Sequence, residues 1–143
     1  MGDLYDVDVL EWSEHQARLL RQHAGGGAGN EAPDWTNIIE EIASVGRSQL
    51  HAVESLLVLA LLHDLKAEVW PLSRDVPHWR AEARGFRRDA RRQFTPSMQP
   101  RLDLAGLYAD ALERLPETMD DQPPLPVPAT CPVTLAELLG TSP

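Results

Sequence analysis

The residues with the widest chemical capacity crowd onto one long predicted helix. Glu40, Glu41, His51, Glu54 and His63 fall within a single uninterrupted helical pattern, and these are the residue types from which helical bundles build carboxylate-bridged metal sites. Such a site draws Glu-x-x-His pairs from two helices. Here His51 and Glu54 have the spacing in reverse order, and no second pair follows. At about 100° per residue, the nine positions from Glu54 to His63 turn half a circle, so the two side chains cannot share one ion on a straight helix. No metal-ligand set is therefore assigned and no cofactor is implied. A metal-dependent bundle enzyme around Glu40, Glu41 and His63 stays open only as an alternative. His63 lies among apolar residues, where a neutral imidazole bonded to a backbone carbonyl or to a polar group on another helix is expected. No catalytic residue is assigned either. Cys131 precedes Pro132 with no histidine nearby in sequence, which suits a small apolar residue better than a nucleophile. A Gly-x-Ser-x-Gly elbow is absent, and acid or base work by Glu40 or Glu41 lacks a visible second group.

Glu40, Arg47 and Glu54 recur at intervals of seven and read as a charged network facing a basic partner. The obvious partner is the next helix, which carries Arg80, Arg84, Arg87, Arg88, Arg91 and Arg92. From Arg74 to Arg101, eight arginines face only Asp75, Glu82 and Asp89, inside a chain of formal charge −9. An acidic body with one basic helix must either pair the two internally or present the basic face to something else. Internal Arg–Glu pairing would fix helix order, and charge reversal at Arg84 or Arg88 would then lower the melting temperature. The same arginines could instead follow the phosphates of a nucleic acid or hold another anion. The overall acidity opposes a polyanion, and few aromatics interleave to stack bases.

The elements that must position these groups are all helical. A chain of 143 residues, 43% hydrophobic and 24% charged, suits a single helical domain over 1–143. One cysteine allows no internal disulfide, acids stand where a signal peptide would carry bases, and no apolar stretch spans a membrane, so a cytoplasmic protein is expected. Asp8 with Glu11, and Val7 with Trp12, have the spacing of a capping box and a hydrophobic staple that start the first helix. It ends in a glycine-rich loop, 25–33, which lacks the Gly-Lys-Ser/Thr ending of a phosphate loop. Asp34 caps the long second helix, which has Ile38, Ile42, Val45, Leu56, Ala60 and His63 on its expected apolar side and Gly46 as a kink or close-packing point. Leu56 through Leu62 is apolar all round. Leaving that stretch wet would cost several kcal/mol at roughly 1.5–3 kcal/mol per side chain, so neighbouring helices or a second copy should cover it. Trp79, Ala83, Phe86, Ala90 and Phe94 form the inward stripe of the third helix. Ser97 is the expected cap of the fourth, with Pro100 in its first turn. A proline-rich strap, 116–133, leads to a last short helix capped by Thr134 and Glu137. The fold class is thus all-α: four principal helices in a bundle with a long central second helix, a strap and a short C-terminal helix.

The segments DLYDVDVLEWSEHQARLLR, DWTNIIEEIASVGR, LLHDLK, HWRAEARGFRR and CPVTLAELL occur in that order from Asp3 to Leu139. Together they resemble the bacterial family known as domain of unknown function twenty-nine. The resemblance implies a helical bundle without an assigned activity, and its motif positions fall on Trp35, Glu40, Glu41, Gly46, Arg47, Glu54, His63, Lys66 and Trp79. This chain departs from the pattern in a longer glycine-rich first loop and in Val9, where an aromatic residue is usual. The leading expectation is a non-enzymatic interaction module, self-associating as a dimer through the leucine-rich middle of the second helix or docking another protein. Nucleic-acid or anion binding by the third helix is the alternative.

Overall fold

The computed structural model describes residues 3–25 and 33–140, so most of the glycine-rich loop expected at 25–33 lies outside the described residues. Six α-helices follow one another: α1 (Leu4–Val7), α2 (Val9–Ala24), α3 (Trp35–Val69), α4 (Val76–Gln93), α5 (Leu104–Arg114) and α6 (Leu135–Leu139), with a 3-10 helix at Pro96–Arg101 between α4 and α5. Among the described residues no strand forms, only an isolated antiparallel pairing of Met119 with Gln122. The fold is an all-α bundle organised on the long central α3. Its contacts fall into two compact units: Met1–His51 with Phe94–Arg101, and Ala52–Gln93 with Leu102–Pro143.

In the first unit, α3 buries Ile39, Ala43, Gly46 and Leu50. This corrects the expected apolar side, since Ile38 and Val45 are 38% and 43% exposed. The reason is steric. A methyl group at Gly46 would lie 2.8 Å from Leu10 Cδ1 and 2.9 Å from Leu10 Cα, and would collide with Ser13 Oγ. Small residues of α3, Ala43 and Gly46, therefore face α2 beside Ile39, because they let the two backbones approach so closely. The contact is also polar: the Gly46 N–H donates to Ser13 Oγ at 3.1 Å, and that hydroxyl, fully buried, donates to the Leu10 carbonyl at 3.3 Å.

Asp8 starts α2 as expected, accepting the Glu11 N–H at 3.0 Å. Its carboxylate also accepts the Ser97 N–H and hydroxyl, both at 2.8 Å. Ser97 therefore does not cap the fourth principal helix. It belongs to the 3-10 helix, and α5 begins only after Asp103. Burial disfavours charge on Asp8, which is 2% exposed, yet the N–H groups of Glu11 and Ser97 and the hydroxyl of Ser97 outweigh it and hold the carboxyl below its ordinary pKa. Beside it, Tyr5 on α1 packs edge-on against Trp12, with ring centroids 4.9 Å apart.

In the second unit, α4 buries Trp79, Ala83 and Ala90, and α5 buries Leu107, Tyr108 and Ala111. Leu57, Val58, Ala60, Leu61 and Leu62 are buried within this one chain. The strap is tied at three points: the Tyr108 hydroxyl donates to the Pro128 carbonyl at 2.7 Å, Trp70 Nε1 to the Gln122 carbonyl at 3.0 Å, and the Leu125 N–H to the Val69 carbonyl at 3.0 Å. The last bond satisfies a carbonyl that the end of α3 leaves without a helical partner. Thr134 and Glu137 form a complete capping box at α6, and Gly140 ends that helix at φ 70°, a left-handed conformation that glycine adopts without strain.

Two consequences can be measured. Gly46→Ala should lower unfolding stability by about 1–3 kcal/mol in a denaturant titration, because the added methyl meets the α2 backbone at Leu10 as well as the Leu10 and Ser13 side chains; an unchanged midpoint would contradict the close crossing. Asp8→Asn should cost about 1–3 kcal/mol at neutral pH by removing charge-assisted bonds. Because the folded carboxyl titrates below its unfolded value near pH 4, the wild-type contribution is present above that value and lost as pH falls through the folded one. The stability curves of the two proteins should thus converge in acid.

Candidate functional site

Two neighbouring residues of α3, His63 and Asp64, hold α4 from both sides. They point about 100° apart around α3, and each meets a different flank of α4. Asp64, largely buried, accepts from Arg80 at 2.8 Å and from Arg87 at 2.7 Å, one guanidinium on each carboxylate oxygen. Arg80 and Arg87 are seven residues apart on α4, two turns along one flank. On the other flank, His63 Nε2 lies 3.0 Å from Glu82, which also meets His78 at 3.2 Å. The second ring nitrogen of His63, Nδ1, lies 2.7 Å from the Leu59 carbonyl, and the ring rests against Phe86. The imidazole thus has both a backbone carbonyl and a polar group on another helix.

This arrangement divides the arginines of α4. Arg80 and Arg87 are consumed by Asp64. Arg84, Arg88, Arg91 and Arg92 are exposed and pair with no carboxylate among the described residues. Arg84 opens onto a cleft of about 230 Å³ shared with Asp64, Glu68 and Tyr108. Tyr108 is pushed above its ordinary pKa by burial, with Cys131 and Glu68 adding to the effect. Cys131 itself is half-buried in the strap.

The acids singled out in sequence are arranged differently from the expected network. Glu40 pairs with Arg47 on its own helix, and both are exposed. Glu41 is exposed, Glu54 and Lys66 are half-buried, and the carboxylate that receives the α4 arginines is Asp64. Among the described residues, no three His, Cys, Asp or Glu side chains come together as metal ligands would.

At the end of α3 lies a feature the sequence pattern did not reveal. Leu72, in the turn between α3 and α4, is 99% exposed. It stands at the edge of an apolar hollow of about 550 Å³ lined by Val69, Trp70, Pro71, Met119, Pro123 and Leu125. The hollow exists because Met119 and Gln122 bond each other's backbone across a tight turn, with Asp120 and Asp121 at φ 51° and 61°. Asp120 lines its rim, and Arg74 follows Leu72 by two positions. The available signal was a leucine in a turn bracketed by Pro71 and Pro77, where a polar residue would normally stand.

The family model described as Domain of unknown function DUF29 matches residues 4–142. Among solved structures, the fold is similar to that of an alpha-helical protein of unknown function from Rhodospirillum rubrum, with a TM-score of 0.82 and 23% identity over 97% of this chain and 90% of that one. No curated protein matches. Among the described residues, no helix is long and apolar enough to cross a membrane.

The division of the arginines is testable by charge reversal. Arg80→Glu should destabilise the protein by about 1 kcal/mol or more, since it sets two carboxylates together at a half-buried site. Arg88→Glu should change stability by no more than about 0.5 kcal/mol. Equal losses in a denaturant titration would refute the assignment of Asp64 as the partner.

Proposed function

The chain belongs to the family described as domain of unknown function DUF29, and from that premise and the geometry at the end of α3 we propose that it is a non-enzymatic interaction module that associates with a second copy of itself. One observation carries this reading: a fully exposed leucine beside an apolar hollow in the same patch. A knob and a hole on one surface are what a two-fold interface requires, because each copy then offers Leu72 and receives its partner's. Charge adds to this: Asp120 lines the hollow on the strap side and Arg74 stands two positions after Leu72 in the sequence, so a partner's Leu72 entering the hollow carries an arginine toward an aspartate. The leucine-rich middle of α3 is less suited to this purpose, since Leu57, Val58, Ala60, Leu61 and Leu62 are buried within the chain and Leu56 and Leu59 half-buried. A water-exposed leucine costs the protein up to roughly 3 kcal/mol of burial it could otherwise gain, which a partner would recover.

A second reading has its own support in the exposed Arg84, Arg88 and Arg92, whose guanidinium groups suit an anionic surface, whereas the Arg91 guanidinium lies against Gly140 at the end of α6. The formal charge of −9 weighs against a nucleic acid in that role.

Light scattering over a range of concentrations separates the two. The wild type should dimerise, and Leu72→Glu should be monomeric at the same concentrations while keeping its melting temperature, because that side chain supports nothing within its own chain. A monomeric wild type, or a Leu72→Glu protein that still dimerises, would overturn the proposal.

A further inference from the structure

A second concavity, built wholly from residues of the first unit, gathers positive charge in a chain that is otherwise acidic. Arg18 and Arg21 from α2, Arg47 from α3 and Arg101 from the end of the 3-10 helix line it, with Glu14 at its edge and Ala17 and Ala43 among its walls. Its volume is about 390 Å³, in the range of small-molecule sites. Four arginines from three separate segments line one recess, and only two of them have carboxylate partners: Arg101 lies 2.5 Å from Glu14, and Arg47 pairs with Glu40. Arg18 and Arg21 have none among the described residues. Glu14 Oε1 is shut off from solvent, with Arg101 Nη2 2.5 Å away.

We propose that this recess binds a phosphate monoester. The two acids offset two of the four arginines, leaving an excess suited to a dianion. Guanidinium forks match phosphate oxygens in paired, planar geometry, and several forks can share one tetrahedral group. The buried alanines supply the reason the arginines converge: Ala17 and Ala43, 1% and 7% exposed, let α2 and α3 approach closely, so that the longer residues beside them reach over one shallow floor. The site owes nothing to Leu72 or to the α4 arginines and stands or falls separately from self-association.

Calorimetric titration of the full chain with inorganic phosphate tests it. Saturable binding is expected, and the double variant Arg18→Gln, Arg21→Gln should weaken it by about tenfold or more while its circular dichroism and melting temperature without phosphate stay unchanged. Arg114→Gln, at a surface pair with Asp110 on α5, should bind as the wild type does. Pelleting with phosphatidylcholine vesicles containing phosphatidic acid then identifies the source: capture that inorganic phosphate competes away places the monoester on a lipid headgroup, and its absence places it on a soluble ligand. No saturable binding of phosphate, equal binding by the double variant, or tighter binding of succinate than of phosphate would overturn the proposal.

Discussion

The grip of His63 and Asp64 on α4 is the constraint from which the chemistry of the second unit follows. Apolar packing alone leaves a helix some freedom to roll, because Trp79, Ala83 and Ala90 could remain covered over a range of rotations. Two polar contacts on opposite flanks remove that freedom. Turning α4 one way stretches Glu82 from His63, and turning it the other way pulls Arg80 and Arg87 from Asp64. A carboxylate placed between Leu62 and Leu65 would be costly if left alone, and two guanidinium groups, each on its own oxygen, are what make its position tolerable. The same geometry decides which arginines are spent on architecture and which remain at the surface.

Much of this architecture was legible in the residues because local rules acted alone. Asp8, Asp34 and Thr134 were read as caps, and each accepts the backbone N–H three residues on. The long α3 follows from an unbroken apolar pattern without proline. Ser97 was misread for a specific reason: its hydroxyl and N–H are taken by Asp8, a residue distant in sequence, and nothing local to Ser97 announces that partner. The phase of α3 was misread for another. Counting Ile38, Ile42 and Val45 as the apolar side weights bulk, whereas the face toward α2 was chosen by the absence of bulk at Ala43 and Gly46. Close helix approach is a property of what is missing from a side chain, which hydrophobicity patterns undervalue.

The charged residues show the same limit. Glu40, Arg47 and Glu54 drew notice because their spacing is regular, yet regular spacing on an exposed face is also what a solvated helix displays, and Glu40 and Arg47 satisfy each other there. Asp64 drew none, although an acid inside the segment LLHDLK was the anomaly that required an explanation. A charge that breaks an apolar run carries more structural information than one that continues a polar face, because its desolvation must be offset by a partner that only the tertiary fold can supply.

On the proposed reading, what the fold leaves unspent serves binding. Several of its buried or half-buried polar groups are engaged in holding helices: Ser13 and Gly46 join α2 to α3, Asp8 joins α2 to the 3-10 helix, and Asp64 and His63 fix α4. Among the residues without such duties are a leucine in water beside an apolar hollow and guanidinium groups without carboxylates. Neither kind activates a nucleophile or moves a proton near neutral pH, since leucine has no titratable group and arginine keeps its charge. Both recognise surfaces, the one by shape and dehydration and the other by charge. On the proposed reading these exterior groups hold partners, and specificity comes from where the helices place them.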